Sequence, residues 1–113
     1  MTPLSARDEI PPGTLDMLIL TTLVQRGDQH GFEIAEAIRR TSGDVLRVEE
    51  GSLYPALQRI LVKGWIAGTW GRTPENRRAR FYKITAAGRR RLAAEVATYD
   101  RVAAAIAHIL RPT

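Results

Sequence analysis

The chain has 113 residues, 44% of them hydrophobic and 26% charged, with a formal net charge of +5. That is enough apolar material for one buried core but too little length for a two-domain enzyme, and the balance is that of a globular chain rather than a disordered tail. The absence of cysteine excludes disulfides, thiolate nucleophiles, iron–sulfur clusters and cysteine-rich zinc sites, and fits a cytoplasmic location.

Residues 1–13 read as an N-terminal arm, closed by Pro11, Pro12 and Gly13. It carries Arg7, Asp8 and Glu9 and lacks the apolar core of a secretory signal. Thr14 is placed to cap a first helix that runs to about Arg26, with Asp16 at the positive end of its dipole. Leu15, Leu18, Ile19, Thr22 and Leu23 follow helical spacing, and Met17, Leu20 and Val24 make the other side apolar too, which predicts a helix buried nearly all round. The apolar stretch Leu15 to Val24 is shorter than the roughly 18 residues that cross a bilayer, so no membrane partner is expected. Gly27 ends this helix and Asp28 to Gly31 read as a turn. A second helix follows, with Phe32, Ile34, Ala35 and Ile38 as its apolar face and Gly43 as its stop.

Val45 to Val48 allow a short extended piece. Glu49, Glu50 and Gly51 then open a third helix with Leu53, Leu57, Ile60 and Leu61 as its buried stripe and Gly64 as its close. Ser52, Pro55, Gln58, Arg59 and Val62 fall outward, with Tyr54 on a flank. Trp65 to Trp70 and Ala79 to Ile84 read as two strands joined by a polar loop, with both tryptophans as hydrophobic anchors. Thr85 caps a last helix from about Ala86 to Leu110, along which Leu92, Val96, Tyr99, Ala103, Ile106 and Leu110 alternate steps of four and three. Such a helix is about 37 Å long against a domain diameter of about 26 Å, so part of the seam needs a second subunit to cover it.

The order helix, helix, short strand, helix, hairpin is that of a winged helix-turn-helix: a mainly α fold with a small antiparallel hairpin and a long C-terminal helix. Charge supports the same division. Between Arg59 and Arg91 lie ten basic residues against one acid, Glu75, a local +9 that leaves −4 for the rest of the chain. A single basic face on an otherwise acidic domain suits a comb of DNA phosphates. His30 and His108 are far apart, no Gly-rich phosphate loop exists and Ser52 has no relay partner, so no catalytic residue, metal ligand or cofactor is expected, and His30 reads as a capping or packing residue.

Four motifs stand in register across the chain: His30-Gly31-Phe32-Glu33-Ile34, Gly51-Ser52-Leu53-Tyr54-Pro55-Ala56-Leu57, Gly64-Trp65-Ile66, and Arg80-Phe81-Tyr82-Lys83-Ile84-Thr85 with Gly88. On these the sequence from Gly13 to Leu110 resembles the PadR-like transcriptional regulators, in the short layout with one C-terminal helix. Its departures are Ile84 before Thr85, where Leu is commoner, and Glu49-Glu50 at the opening of the third helix. The resemblance implies a homodimeric repressor that binds an inverted-repeat operator and is released by a small-molecule effector.

The expected divisions are then an arm over 1–13, a DNA-binding winged helix over 14–85 and a dimerisation helix over 86–113. Ser52, Tyr54, Pro55, Gln58, Arg59 and Lys63 form the DNA-facing set around the third helix; Arg77, Arg78, Arg80 and Lys83 form that of the wing. Tyr54 is alternatively a core aromatic with its hydroxyl at the edge, and Gln58 a plain solvated side chain. Leu92, Val96, Tyr99, Ala103, Ile106 and Leu110 form the dimer seam. Tyr99 stands where some multidrug-responsive relatives carry an aromatic lining a pore between subunits; a simple seam residue is the other reading. The competing functional class is a protein-interaction module that keeps the winged-helix scaffold without operator specificity.

Overall fold

The computed structural model describes Ile10 and residues 13–112. The arm expected over residues 1–13 lies outside these except for Ile10 and Gly13. In chain order the elements are α1 (Thr14–Arg26), β1 (Gln29–His30), α2 (Gly31–Thr41), α3 (Glu50–Val62), β2 (Ile66–Arg72), β3 (Arg78–Ile84) and α4 (Ala86–Leu110).

Thr14 is not the cap of α1. Gly13 occupies that position at φ 81°, a left-handed conformation open to glycine at little cost, and Thr14 is already helical. Met17, Ile19, Leu20, Thr22 and Leu23 are buried, and the Thr22 hydroxyl donates to the Leu18 carbonyl at 2.8 Å. Val24 is exposed, so α1 is covered on most sides but not all round.

The segment after Gly27 is more than a turn. Gln29 and His30 form β1 and pair antiparallel with Tyr82 and Phe81 of β3. The third strand of the sheet therefore comes from before α2, whereas Val45 to Val48 contribute only an isolated bridge at Leu46. Two residues cannot display an alternating pattern, which is why β1 has no sequence signature.

His30 caps α2 through its backbone, whose N–H donates to Glu33 Oε1 at 3.1 Å, and its ring meets Phe81 edge-on at 5.3 Å. Gly31, Ile34, Ala37 and Ile38 are the buried residues of α2. Phe32 is not on that face and is 69% exposed. At about 100° per residue it stands roughly 160° from Ile34, so helix geometry places it with the polar residues.

Leu53, Ala56, Leu57 and Ile60 bury α3 against Ile19, Leu20, Leu23, Ile34 and Ile38, and Ser52, Pro55, Gln58, Arg59 and Val62 are all exposed. The sheet order is β1-β3-β2, with Ile66 opposite Ile84 and Arg72 opposite Arg78. Both hairpin strands reach further toward the tip than their apolar residues imply, and Trp65 precedes β2 rather than opening it. Three helices and this sheet make a winged helix-turn-helix, to which α4 is attached.

That attachment is a small knot of polar contacts. The Thr85 N–H donates to the Trp65 carbonyl at 3.0 Å, its hydroxyl donates to the Gly64 carbonyl at 2.6 Å, and the Gly88 N–H donates to that same hydroxyl at 3.0 Å. Gly88 is the one buried residue of α4, and a Cβ there would stand 2.0 Å from the Trp65 carbonyl oxygen. Leu92 also packs on the core; beyond it α4 runs past the start of α1 with its residues mostly exposed, and the molecule measures 53 Å along its longest axis.

Gly88→Ala should lower stability by about 3 kcal/mol or more, because the obstacle is backbone, whereas Thr85→Val, which removes the cap and the hydroxyl's bond to Gly64, should cost about 1–2 kcal/mol. Thermal or urea unfolding of the two variants measures both; equal losses would contradict the ranking.

Candidate nucleic-acid interface

The β3 register builds the wing. Residues at 78, 80, 82 and 84 share one face of the strand and those at 79, 81 and 83 the other. Trp70 lies directly opposite Arg80 on β2, and the Arg78 guanidinium carbon sits 4.3 Å from the Trp70 ring centroid. Arg80 lies across the same face, 6.0 Å from the Trp70 ring and 5.9 Å from the Tyr82 ring. Opposite Tyr82 is Gly68, where a Cβ would stand 2.6 Å from Arg80 Nε; only a residue without a side chain lets Arg80 lie flat. That Nε is buried and has no hydrogen-bond partner among the described residues.

A cleft of about 730 Å³ opens between this face of the wing, the start of α2 and α3. Tyr54 borders it from α3, its ring edge and hydroxyl resting against Gly31, where a Cβ would be 3.2 Å from the ring. Phe32, Trp70, Arg77, Arg78 and Arg80 border it as well. The structure therefore brings Tyr54 and three wing arginines to one concavity. Tyr54 is half exposed, neither a core aromatic nor a free one. Trp70, 61% exposed, is not a core anchor of the wing but a platform for arginines, while Trp65 does pack on the core. Phe32 and Trp70 were missed as site residues; the angular position of Phe32 on α2 is the signal that could have found the first.

The remaining expected residues stand elsewhere. Gln58 and Pro55 face outward from the middle of the exposed side of α3. Ser52 and Arg59, seven residues apart, share the flank toward α1, and Arg59 Nη2 lies 2.7 Å from Asp16 Oδ1. Lys63, at the end of α3, stands 4.8 Å over the Trp65 ring, with Arg91 of α4 4.9 Å from it. Lys83 is exposed but on the sheet face away from the cleft. Asn76, at φ 62°, turns the wing tip, and the loop is held by the Thr73 N–H to Arg77 carbonyl bond at 2.9 Å.

Burial pushes the Tyr82 phenol above its ordinary value; the neighbouring Arg80 charge pulls it down and Tyr54 pushes it up. No helix among the described residues is long and apolar enough to cross a membrane.

The model of the Transcriptional regulator PadR-like family matches residues 19–94, two thirds of the chain. The chain belongs to the PadR-like family. A transcriptional regulator from Clostridium thermocellum is 26% identical, covering 88% of this chain and 95% of that one, with a TM-score of 0.80. A PadR-like transcriptional regulator from Bacillus cereus is 25% identical, with coverages of 89% and 95% and a TM-score of 0.74. Protein X of Lysinibacillus sphaericus is 29% identical over 83 residues, which are 74% of this chain and 75% of that one. The protein is thus a PadR-like transcriptional regulator and not an enzyme.

Because the Tyr82 phenol is raised by folding, its contribution to stability is present below the tyrosine range of the unfolded chain and is lost as pH rises through the folded value. Tyr82→Phe should abolish the alkaline loss tied to this group, read as melting temperature against pH from 9 to 11; an unchanged profile would contradict the assignment.

Proposed function

We propose that this PadR-like regulator is a homodimeric repressor acting on DNA in the cytoplasm, with α3 in the major groove of each half of an inverted repeat and the wing on the backbone. The observation that carries the reading is that Tyr54 of α3 shares one cleft with Arg77, Arg78 and Arg80 of the wing, which belong to the stretch of local charge +9, while Pro55 and Gln58 are exposed on the outward side of α3. Hydroxyls and arginines suit phosphate oxygens, and a glutamine amide can pair with an adenine edge. On this reading residues 14–85 are the DNA-binding unit, with Ser52, Arg59, Lys63 and Lys83 as flanking contacts, and residues 86–113 the dimerisation unit.

Support for the dimer is the surface of α4. Val96, Tyr99, Ile106 and Leu110 are exposed, and Ala103 partly so, on a helix that continues past its own core; Leu92 belongs to the core as well as to the seam. Val102 and Ile109 add exposed apolar surface beside the four–three seam. The resulting stripe is wider than a two-helix seam and suits a partner that covers α4 from two directions. What supports release by a small-molecule effector is the family resemblance and Tyr99, which is half exposed and borders a groove of about 340 Å³ between the start of α1 and α4.

Retention of random-sequence duplexes at about 0.15 M salt, followed by sequencing, tests the reading. A recurrent inverted repeat, preferred over scrambled duplex by about 10³-fold or more, is expected; retention without a shared motif would leave a winged-helix interaction module. Arg78→Ala should weaken binding to every duplex and flatten the dependence on salt.

Light scattering at micromolar concentration should give twice the chain mass for the native protein and the chain mass for Ile106→Glu, which places a charge in the stripe. A native monomer would defeat the dimer.

A further inference from the structure

The ion pair between Asp16 and Arg59 joins α1 to the DNA-facing helix across 43 positions of sequence. It is lopsided. Asp16 is enclosed, 14% exposed, whereas Arg59 is 50% exposed. If the arginine swung away to meet DNA, an enclosed carboxylate would be left without its cation, which is costly. In the structure the guanidinium is held on Asp16. It has five N–H donors in a rigid plane, and the contact with Asp16 engages Nη2. The side chain is half exposed, so donors beyond that contact are open to a ligand.

Placement matters here because Arg59 is not in the middle of the outward side of α3. It shares the α1 flank with Ser52, while Gln58 occupies the outward centre. A long side chain on that flank, without an anchor, is free to lie in many rotamers along α1 and would meet DNA only after losing that freedom. With the anchor the cost is met on folding. The charge balance points the same way: a paired arginine adds little to the general attraction for phosphates, since its carboxylate partner travels with it, so what the pair supplies is direction.

We propose that Asp16 is a positioning residue for DNA specificity, holding Arg59 so that its free donors meet one defined place on the duplex. The inference rests on the DNA-reading proposal above. It predicts an effect on discrimination, which distinguishes it from two other roles. Loss of a purely structural strut lowers binding to all duplexes together; loss of a purely repulsive carboxylate raises binding to all of them.

The test compares the native protein, Asp16→Asn, Arg59→Ala and the double variant on two duplexes: the inverted repeat that the native protein itself retains most strongly from a random pool, and a scrambled sequence of equal length. Asp16→Asn should reduce the preference for the repeat about tenfold while leaving scrambled-duplex binding within about twofold. The double variant should discriminate no worse than Arg59→Ala alone, since both changes remove one function. Asp16→Glu, which keeps a carboxylate, should recover part of the preference and guards against a folding defect in the asparagine variant, with melting temperature measured for each.

An unchanged preference in Asp16→Asn, additive losses in the double variant, or parallel changes on both duplexes would overturn the inference and leave the DNA-reading proposal standing. A native protein that prefers no duplex would remove that proposal, and this inference with it.

Discussion

The geometry of the whole molecule depends on the knot where α3 ends and α4 begins. Gly64 and Trp65 leave α3, and Thr85 and Gly88 enter α4; between them the chain makes the entire wing. Thr85 ties the two crossings together with a backbone bond to Trp65 and a hydroxyl that both donates to Gly64 and accepts from Gly88. One side chain therefore closes the base of the hairpin and caps the last helix. The absence of a side chain at Gly88 lets α4 come within contact of the Trp65 backbone, and Ile84 and Leu92 carry the core up to that point. Because the knot is local and rigid, the direction of α4 is fixed relative to α3 and the wing. If α4 carries the proposed second subunit, that fixed direction is what relates it to the DNA-facing side.

Around this knot the polar and aromatic residues sort into two groups with different physics. On the wing side, Trp70 and Tyr82 form a surface on which Arg78 and Arg80 lie, so the guanidinium groups are held by ring faces rather than by carboxylates and keep their charge for a ligand. On the α1 side, Arg59 is held by Asp16 and adds little net charge. Lys63 and Arg91 share the Trp65 ring beside the knot. Basic residues that look alike in sequence are therefore not equivalent: some offer charge, one offers orientation, and two are tied to the base of the wing.

Much of this was legible from the chain. The helices emerge because their apolar residues recur at helical spacing and their ends carry Gly27, Gly43 and Gly64, each of which adopts the positive φ that stops a helix. The outward set on α3 follows from the same periodicity, and the hairpin from two aromatic, alternating runs around a turn. The errors have a common cause. Hydrophobicity alone points Phe32 into the core, although its angle on α2 opposes it; size alone points Trp70 there, although arginines cover its ring instead. Thr14 fits the preference for a cap, but Gly13 takes the position.

The sequence by itself determined the four helices, the hairpin, the buried face of α3, the basic stretch and the family, because these depend on local spacing and composition. Tertiary structure decided the origin of the third strand, since a two-residue pairing exists only when β3 is already there to receive it. It also decided the partners of individual charges. Asp16 and Arg59 are 43 positions apart and obey no local rule, and Arg80 lies flat only because Gly68 happens to face Tyr82 across the ladder. Such contacts are set by which surfaces the folded backbone brings within a few ångströms, and no pattern along the chain records that.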